Sequence, residues 1–186
     1  MRVLGISGSL RQDSYNSALL RAAAERLPAG AELVEFKRLR EIPPYDADAE
    51  LEGTPHAVAE LREAMREADA VLIATPEYNH SIPGVLKNAL DWASRPAGKS
   101  ALMGKPAAVI GASTGMFGAV WAQAETRKVL GALGGRVIEA ELPIARAQEL
   151  YAGGELALTP ELSEQLETML ADLAAAVEDL RDALAA

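Results

Sequence analysis

Residues 69–75 (D-A-V-L-I-A-T) form a near-continuous apolar run that Pro76 stops. A run of this length and composition suits a central parallel strand buried on both faces, and such a strand needs helices above and below it. The flanking sequence supplies both kinds of element. Residues 2–7 and 106–112 read as two more buried strands, 31–37 as an alternating strand, and 136–139 as a short fifth. Helical spacing of apolar residues predicts helices over 15–27, 56–67, 83–93 and about 118–133. Pro28-Ala29-Gly30 and Gly134-Gly135 end the first and last of these. A long C-terminal helix is predicted over about 160–184, with a stripe of Leu162, Leu166, Met169, Leu173, Val177, Leu180 and Leu184 that covers the sheet rather than forming a coiled coil. Five strands alternating with helices predict an α/β architecture: a doubly wound parallel sheet with right-handed crossovers and helices on both faces. Neither a repeat nor a linker interrupts 1–186, so a single domain is expected.

Composition narrows the chemistry. The chain has no cysteine and two histidines. Thiol redox chemistry and Cys-based metal or iron–sulfur sites are therefore excluded, and no metal site is expected. If this chain moves electrons, a bound cofactor carries them. The formal charge of -9 argues against general binding of nucleic acid or anionic membrane, although backbone N–H groups and one Arg can still hold an anion locally. No segment reads as a signal peptide or a membrane span, and a cytoplasmic location is expected.

In a doubly wound sheet ligands bind outside the carboxyl ends of the strands. Three segments follow buried strands and precede helices there: Gly8–Asn16, Pro76–Ser81 and Ala112–Gly118. The first, G-S-L-R-Q-D-S-Y-N, offers Ser9, Arg11, Ser14 and Asn16 beside a helix start, which is the chemistry of a phosphate cradle. Ser14 or Asp13 also reads as a simple helix cap. Neither a Walker A loop nor a G-x-G-x-x-G fingerprint is present, and Phe36, Lys37 and Arg38 stand where a ribose-binding acid would be. A mononucleotide fits better than a dinucleotide. The second segment, T-P-E-Y-N-H-S-I-P-G, is stiffened by two prolines and suits the edge of a flat ring. The third, A-S-T-G-M-F-G, lets backbone approach a ligand closely.

The motifs G-S-L-R-Q-D-S-Y-N and P-E-Y-N-H-S-I-P-G-V-L-K-N-A-L-D-W, with the G-A-S-T-G-M-F-G-A loop, resemble the NADPH-dependent FMN reductase family, closest to its bacterial chromate, quinone and azo-dye reductases. The resemblance implies a flavodoxin-like fold with strand order 2-1-3-4-5, non-covalent FMN, and ping-pong transfer from NAD(P)H to a small acceptor. By motif position it implies a phosphate site of Ser9, Arg11, Ser14 and Asn16, and a ring wall of Pro76, Glu77, Tyr78 and Asn79. It places Ser113 and Gly115 on the far side of the ring or its ribityl edge. It also implies a homodimer or homotetramer. A Pro and a Gly-Gly pair, common in the family's third loop, are replaced here by Ser-Thr-Gly and Gly118-Ala119.

Hydride transfer between stacked rings requires positioning, so no catalytic acid or base is expected. The start of the helix after Ser113 is a candidate stabiliser of the reduced ring. His80 and His56 read as loop and helix-start residues, and Lys87 and Asp91 as surface or interface groups. Tyr45 and Asp48 belong to a rim loop. Trp92 is expected at an interface, on a stripe with Val85, Leu86 and Ala89, whereas Trp121 either narrows an acceptor pocket or packs in the core. The rival readings are an FMN-binding electron carrier without nicotinamide turnover and a nucleotide-binding regulatory domain.

Overall fold

The structure is a computed structural model and describes residues 1–185. Its elements in chain order are β1 (Arg2–Ser7), α1 (Tyr15–Ala24), β2 (Glu32–Glu35), α2 (Ala47–Glu52), α3 (His56–Glu67), β3 (Ala70–Thr75), α4 (Gly84–Ala93), β4 (Pro106–Ala112), α5 (Val120–Ala132), β5 (Arg136–Val137), β6 (Pro143–Ile144), α6 (Ala147–Leu150), β7 (Tyr151–Ala152), β8 (Glu155–Leu156) and α7 (Pro160–Ala185). The main sheet runs β2-β1-β3-β4-β5, and all of its pairings are parallel. This is the strand order of the flavodoxin-like fold, whose chain reverses direction beside β1 and β3.

Period-two alternation divides the apolar residues between two layers. Leu4, Ile6, Val71, Ile73, Ala107 and Val109 pack in one core with α3 and α4. Val3, Ala70, Leu72, Ala74, Ala108 and Ile110 pack in the other with α1 and α7. Leu166, Met169, Leu173 and Val177 of α7 are buried on the sheet, as the stripe predicted, but Leu184 is exposed because the helix runs past the sheet's edge.

The expected fifth strand at 136–139 is only two residues long, and a sixth strand that sequence reading did not anticipate shares its side of β4. β5 pairs with Pro106 and Ala107, at the start of β4, and β6 pairs with Gly111 and Ala112, at its end. The buried side chain of Gln123 fills the corner. Its Nε2 donates to Gly118 O (3.0 Å), and its Oε1 accepts from Leu142 N–H (3.1 Å).

Trp92 lies in the core, which corrects the interface expectation. Its ring is fully buried, its Nε1–H donates to Pro43 O (2.8 Å), and Tyr45 meets it edge-on. The Pro43–Tyr45 loop folds back over α4 and uses the apolar stripe that seemed to be in excess. Arg62 donates from Nε to Trp92 O (3.0 Å), and burial lowers its pKa.

Gly118 holds the third turn against β6. It has φ +58°, and a Cβ there would lie 2.4 Å from the carbonyl carbon of Pro143. Gly118→Ala is expected to cost about 2–4 kcal/mol, from strained backbone plus overpacking. Urea unfolding would show this as a lower midpoint; an unchanged midpoint would contradict the contact.

Candidate functional site

The three turns singled out in sequence meet at the carboxyl edge of β1, β3 and β4, and named contacts lock them to one another. Gly8 N–H donates to Ala74 O (2.8 Å). A Cβ on Gly8 would sit 3.0 Å from Leu86 and 3.2 Å from Pro76, so a glycine is what lets the first turn lie this close to the second. The buried amide of Asn16 exchanges two hydrogen bonds with the backbone of Ala112: its Nδ2 donates to Ala112 O (2.9 Å) and its Oδ1 accepts from Ala112 N–H (3.0 Å). Glu77 joins the second turn to the third. Its Oε2 accepts from Trp121 N–H (3.1 Å) and Ala122 N–H (3.2 Å), with its side chain only 13% exposed.

In the first turn, Ser14 is the buried N-cap of α1. Its hydroxyl accepts from the N–H groups of Asn16 and Ser17, each at 3.2 Å. The capping reading accounts for Ser14, and the Ala112 clamp accounts for the Asn16 side chain. Ser9 and Arg11 line a cavity of about 260 Å³ with Ser7 and Ser17; its charged lining is Arg11, Arg21, Lys37 and Arg40 against a single carboxylate, Glu35. Ser17 was missed in sequence. Its only signal is helical phase, since it stands in the first turn of α1, three residues after the Ser14 cap. Among the described residues, the N–H groups of Leu10, Gln12 and Asp13 donate to no protein acceptor. Free backbone donors, three hydroxyls and a net positive lining around one small cavity fit a phosphate monoester.

The second turn is a tight hairpin. Tyr78 and Ser81 exchange N–H···O bonds of 3.1 Å in both directions, and Asn79 and His80 between them have φ of 53° and 60°. Two successive positive φ angles define a type I′ turn. Non-glycine residues there store strain, which Ser81 Oγ offsets by donating to Glu125 Oε2 (2.8 Å). Pro76 is buried, while Tyr78 and Asn79 are exposed.

In the third turn, Ser113 N–H donates to Ile144 O (3.0 Å), and Gly115 O accepts from Arg146 N–H (3.0 Å). The turn is thus held by the last residue of β6 and by Arg146 just beyond it, and Thr114 to Phe117 are exposed. The start of α5, the candidate stabiliser of a reduced ring, has two of its first N–H groups engaged within the protein. Its Trp121 and Ala122 donors are spent on Glu77, whose negative charge also opposes the positive end of the helix dipole.

The remaining candidates lie as follows. Lys87 and Asp91 pair at 2.6 Å along α4. His56 opens α3. Asp48 lies in the first turn of α2. Tyr45 donates its hydroxyl to Glu50 (3.0 Å); burial and this bond raise its pKa. His80 is exposed and stands edge-on to Trp121, with ring centroids 4.9 Å apart.

The sequence profile of the NADPH-dependent FMN reductase family matches residues 1–149. An NAD(P)H-dependent FMN reductase of Pseudomonas aeruginosa is 44% identical over 182 residues, covering 97% of each chain. A quinone reductase of Pseudomonas putida is 40% identical over 153 residues, covering 82% of this chain and 78% of that protein. Among solved structures, FerB, a flavoenzyme NAD(P)H:(acceptor) oxidoreductase from Paracoccus denitrificans, superposes with a TM-score of 0.83 at 35% identity, covering 96% of this chain and 97% of that one. These matches make the chain an oxidoreductase, and its fold is of the flavodoxin-like class. Within that class the chain belongs to the NADPH-dependent FMN reductase family.

Glu77→Ala should remove the cap of α5 and lower stability by about 0.5–2 kcal/mol. The measurement is again the unfolding midpoint. A variant as stable as the parent would show that the Glu77 bridge contributes nothing.

Proposed function

We propose that this chain binds FMN at the three turns and uses it to pass electrons from NAD(P)H to small acceptors such as quinones, flavins, azo compounds or metal oxyanions, in ping-pong order. The observation that carries the reading is the positively lined cavity of the first turn, with Asn16 and Glu77 joining the neighbouring turns around it. Bound FMN supplies two-electron chemistry: NAD(P)H gives up a hydride to become NAD(P)⁺, and a quinone gains two electrons and two protons, one of them from solvent, to become a hydroquinone.

The chain's own residues bind and orient. Arg11, Ser9 and Ser17 hold the phosphate by charge-assisted and neutral hydrogen bonds, together with the free N–H groups of the turn. Pro76, Glu77, Tyr78 and Asn79 make one side of the ring site; Ser113 and Gly115 make the other. Ser14 and Asn16 act through the backbone they fix. Prolines on both sides of the second turn and the Glu77 bridge keep its walls rigid, so little ordering is required when the reactants meet. The proposal extends to one functional unit over 1–186, acting in the cytoplasm as a homodimer or homotetramer without nucleic acid or membrane. The family resemblance supports the assembly, and the acidic charge supports the exclusions. Among the described residues no helix is long and apolar enough to cross a membrane.

The direct test is to add NADPH to the FMN-loaded protein without oxygen. Rapid loss of the oxidised flavin absorbance, with recovery on adding a quinone, is expected. A protein that stays yellow with NADPH and is bleached only by a partner protein would be a carrier instead. Arg11→Ala is expected to weaken FMN binding about 10- to 150-fold, the equivalent of losing one charge-assisted hydrogen bond of about 1.5–3 kcal/mol. Titrating FMN fluorescence against stripped protein reads this, and parental affinity in the variant would refute the phosphate assignment.

A further inference from the structure

Half of the large exposed hydrophobic residues among the described residues lie on two neighbouring turns and the start of the helix that follows them. Of the eight (Val34, Leu51, Tyr78, Met103, Met116, Phe117, Trp121 and Leu184), Tyr78, Met116, Phe117 and Trp121 lie on the second turn, the third turn and the start of α5. Scattered exposed apolar residues need no explanation, but a cluster at the mouth of a ligand site does.

The cluster is ordered around Trp121. His80 from the second turn and Phe117 from the third each stand edge-to-face with the indole, at 4.9 Å between ring centroids. Its backbone N–H is bound by Glu77, so the ring is carried on a fixed point of the helix. Even with two aromatic neighbours, Trp121 is 40% exposed, Phe117 55% and Met116 64%. The group bridges the two turns assigned to the ring site, and the Glu77 contact ties it to one of them.

Charge decides what such a wall suits. Neither 77–81 nor 113–122 contains a Lys or Arg, in a chain of net charge -9. Arg146 meets the third turn through its backbone N–H. Glu77 and Glu125 both lie against this rim. A compact anion finds aromatic rings and the exposed Glu125 carboxylate here, whereas a neutral planar ring finds stacking and edge contacts.

The geometry points to Trp121, with Phe117 and His80, as the specificity-determining wall for acceptors: it favours neutral planar aromatic acceptors of the quinone class over compact anionic ones such as metal oxyanions. The assignment rests on the proposed FMN-dependent activity and narrows its acceptors. Trp121 positions the acceptor; it transfers neither proton nor electron.

The test uses FMN-loaded protein and compares two acceptors at one saturating NADPH concentration. They are a neutral benzoquinone, which takes two electrons and two protons, and ferricyanide, which takes one electron per ion and is compact and anionic. Because reduction by NADPH is common to both, the ratio of their kcat/KM values isolates the acceptor step. In Trp121→Ala this quinone-to-ferricyanide ratio is expected to fall by about tenfold or more, and in Trp121→Phe to return to within about threefold of the parent. A ratio unchanged in Trp121→Ala, including a parallel loss for both acceptors, overturns the assignment. So does an unchanged ratio with dissociation of an oligomer to monomers, which would make the cluster a subunit contact. A parent protein that does not take up FMN, or is not bleached by NADPH, refutes the proposed function itself. A parent that bleaches normally while the ratio stays constant refutes only the role of Trp121.

Discussion

Two hydrogen bonds between the Asn16 amide and the backbone of Ala112 hold the functional edge together. In the sheet, β1 and β4 are not neighbours; β3 lies between them. The Asn16 side chain, at the start of α1, reaches across to the last residue of β4 and satisfies both of its peptide groups in a fully buried setting. Without the amide, a buried donor and a buried acceptor would each lose about 1–3 kcal/mol. Glu77 repeats the device between the second turn and α5. The three turns are therefore joined to one another by the protein's own hydrogen bonds.

This also explains why polar residues of the first turn divide into two groups. Ser14 and Asn16 are buried and satisfied by backbone, while Ser9, Arg11 and Ser17 face the cavity. Within that one motif, two side chains bind the protein's own backbone and others line the cavity. The acidic chain gathers Arg11, Arg21, Lys37 and Arg40 about that cavity, and Arg40 donates to Leu10 O (2.7 Å), bracing the turn from outside. The local field is opposite in sign to the net charge, which favours an anion at this point and repels it elsewhere.

Much of this was legible in the residues. The apolar run at 69–75 announced a strand buried on both faces, and helix α3 follows its predicted bounds of 56–67. The Pro and Gly positions located the three turns. What escaped was set by tertiary contact. Arg136–Val137 and Pro143–Ile144 are too short to carry a periodic signal and are strands only because β4 offers them partners. The six residues of α2 sit beyond a Pro-Pro loop, where local pattern says little. Trp92 looked surplus because the Pro43–Tyr45 segment that covers it carries no regular pattern. Ser14 and Asn16 could not be sorted from Ser9 and Arg11, since capping and phosphate binding favour the same small polar side chains at a helix start.

The divided flank of β4 has a consequence for the molecule's life at high concentration. All seven residues of this strand are buried, and they include the flat, uncharged run Ala107–Ile110. A long bare margin on such a strand would offer a template on which another chain could polymerise as cross-β structure. β5 covers one end of that margin and β6 the other, and Gln123 stitches the intervening loop to the start of α5. Two fragments of two residues thus give β4 the solubility that a full-length neighbour would have given it.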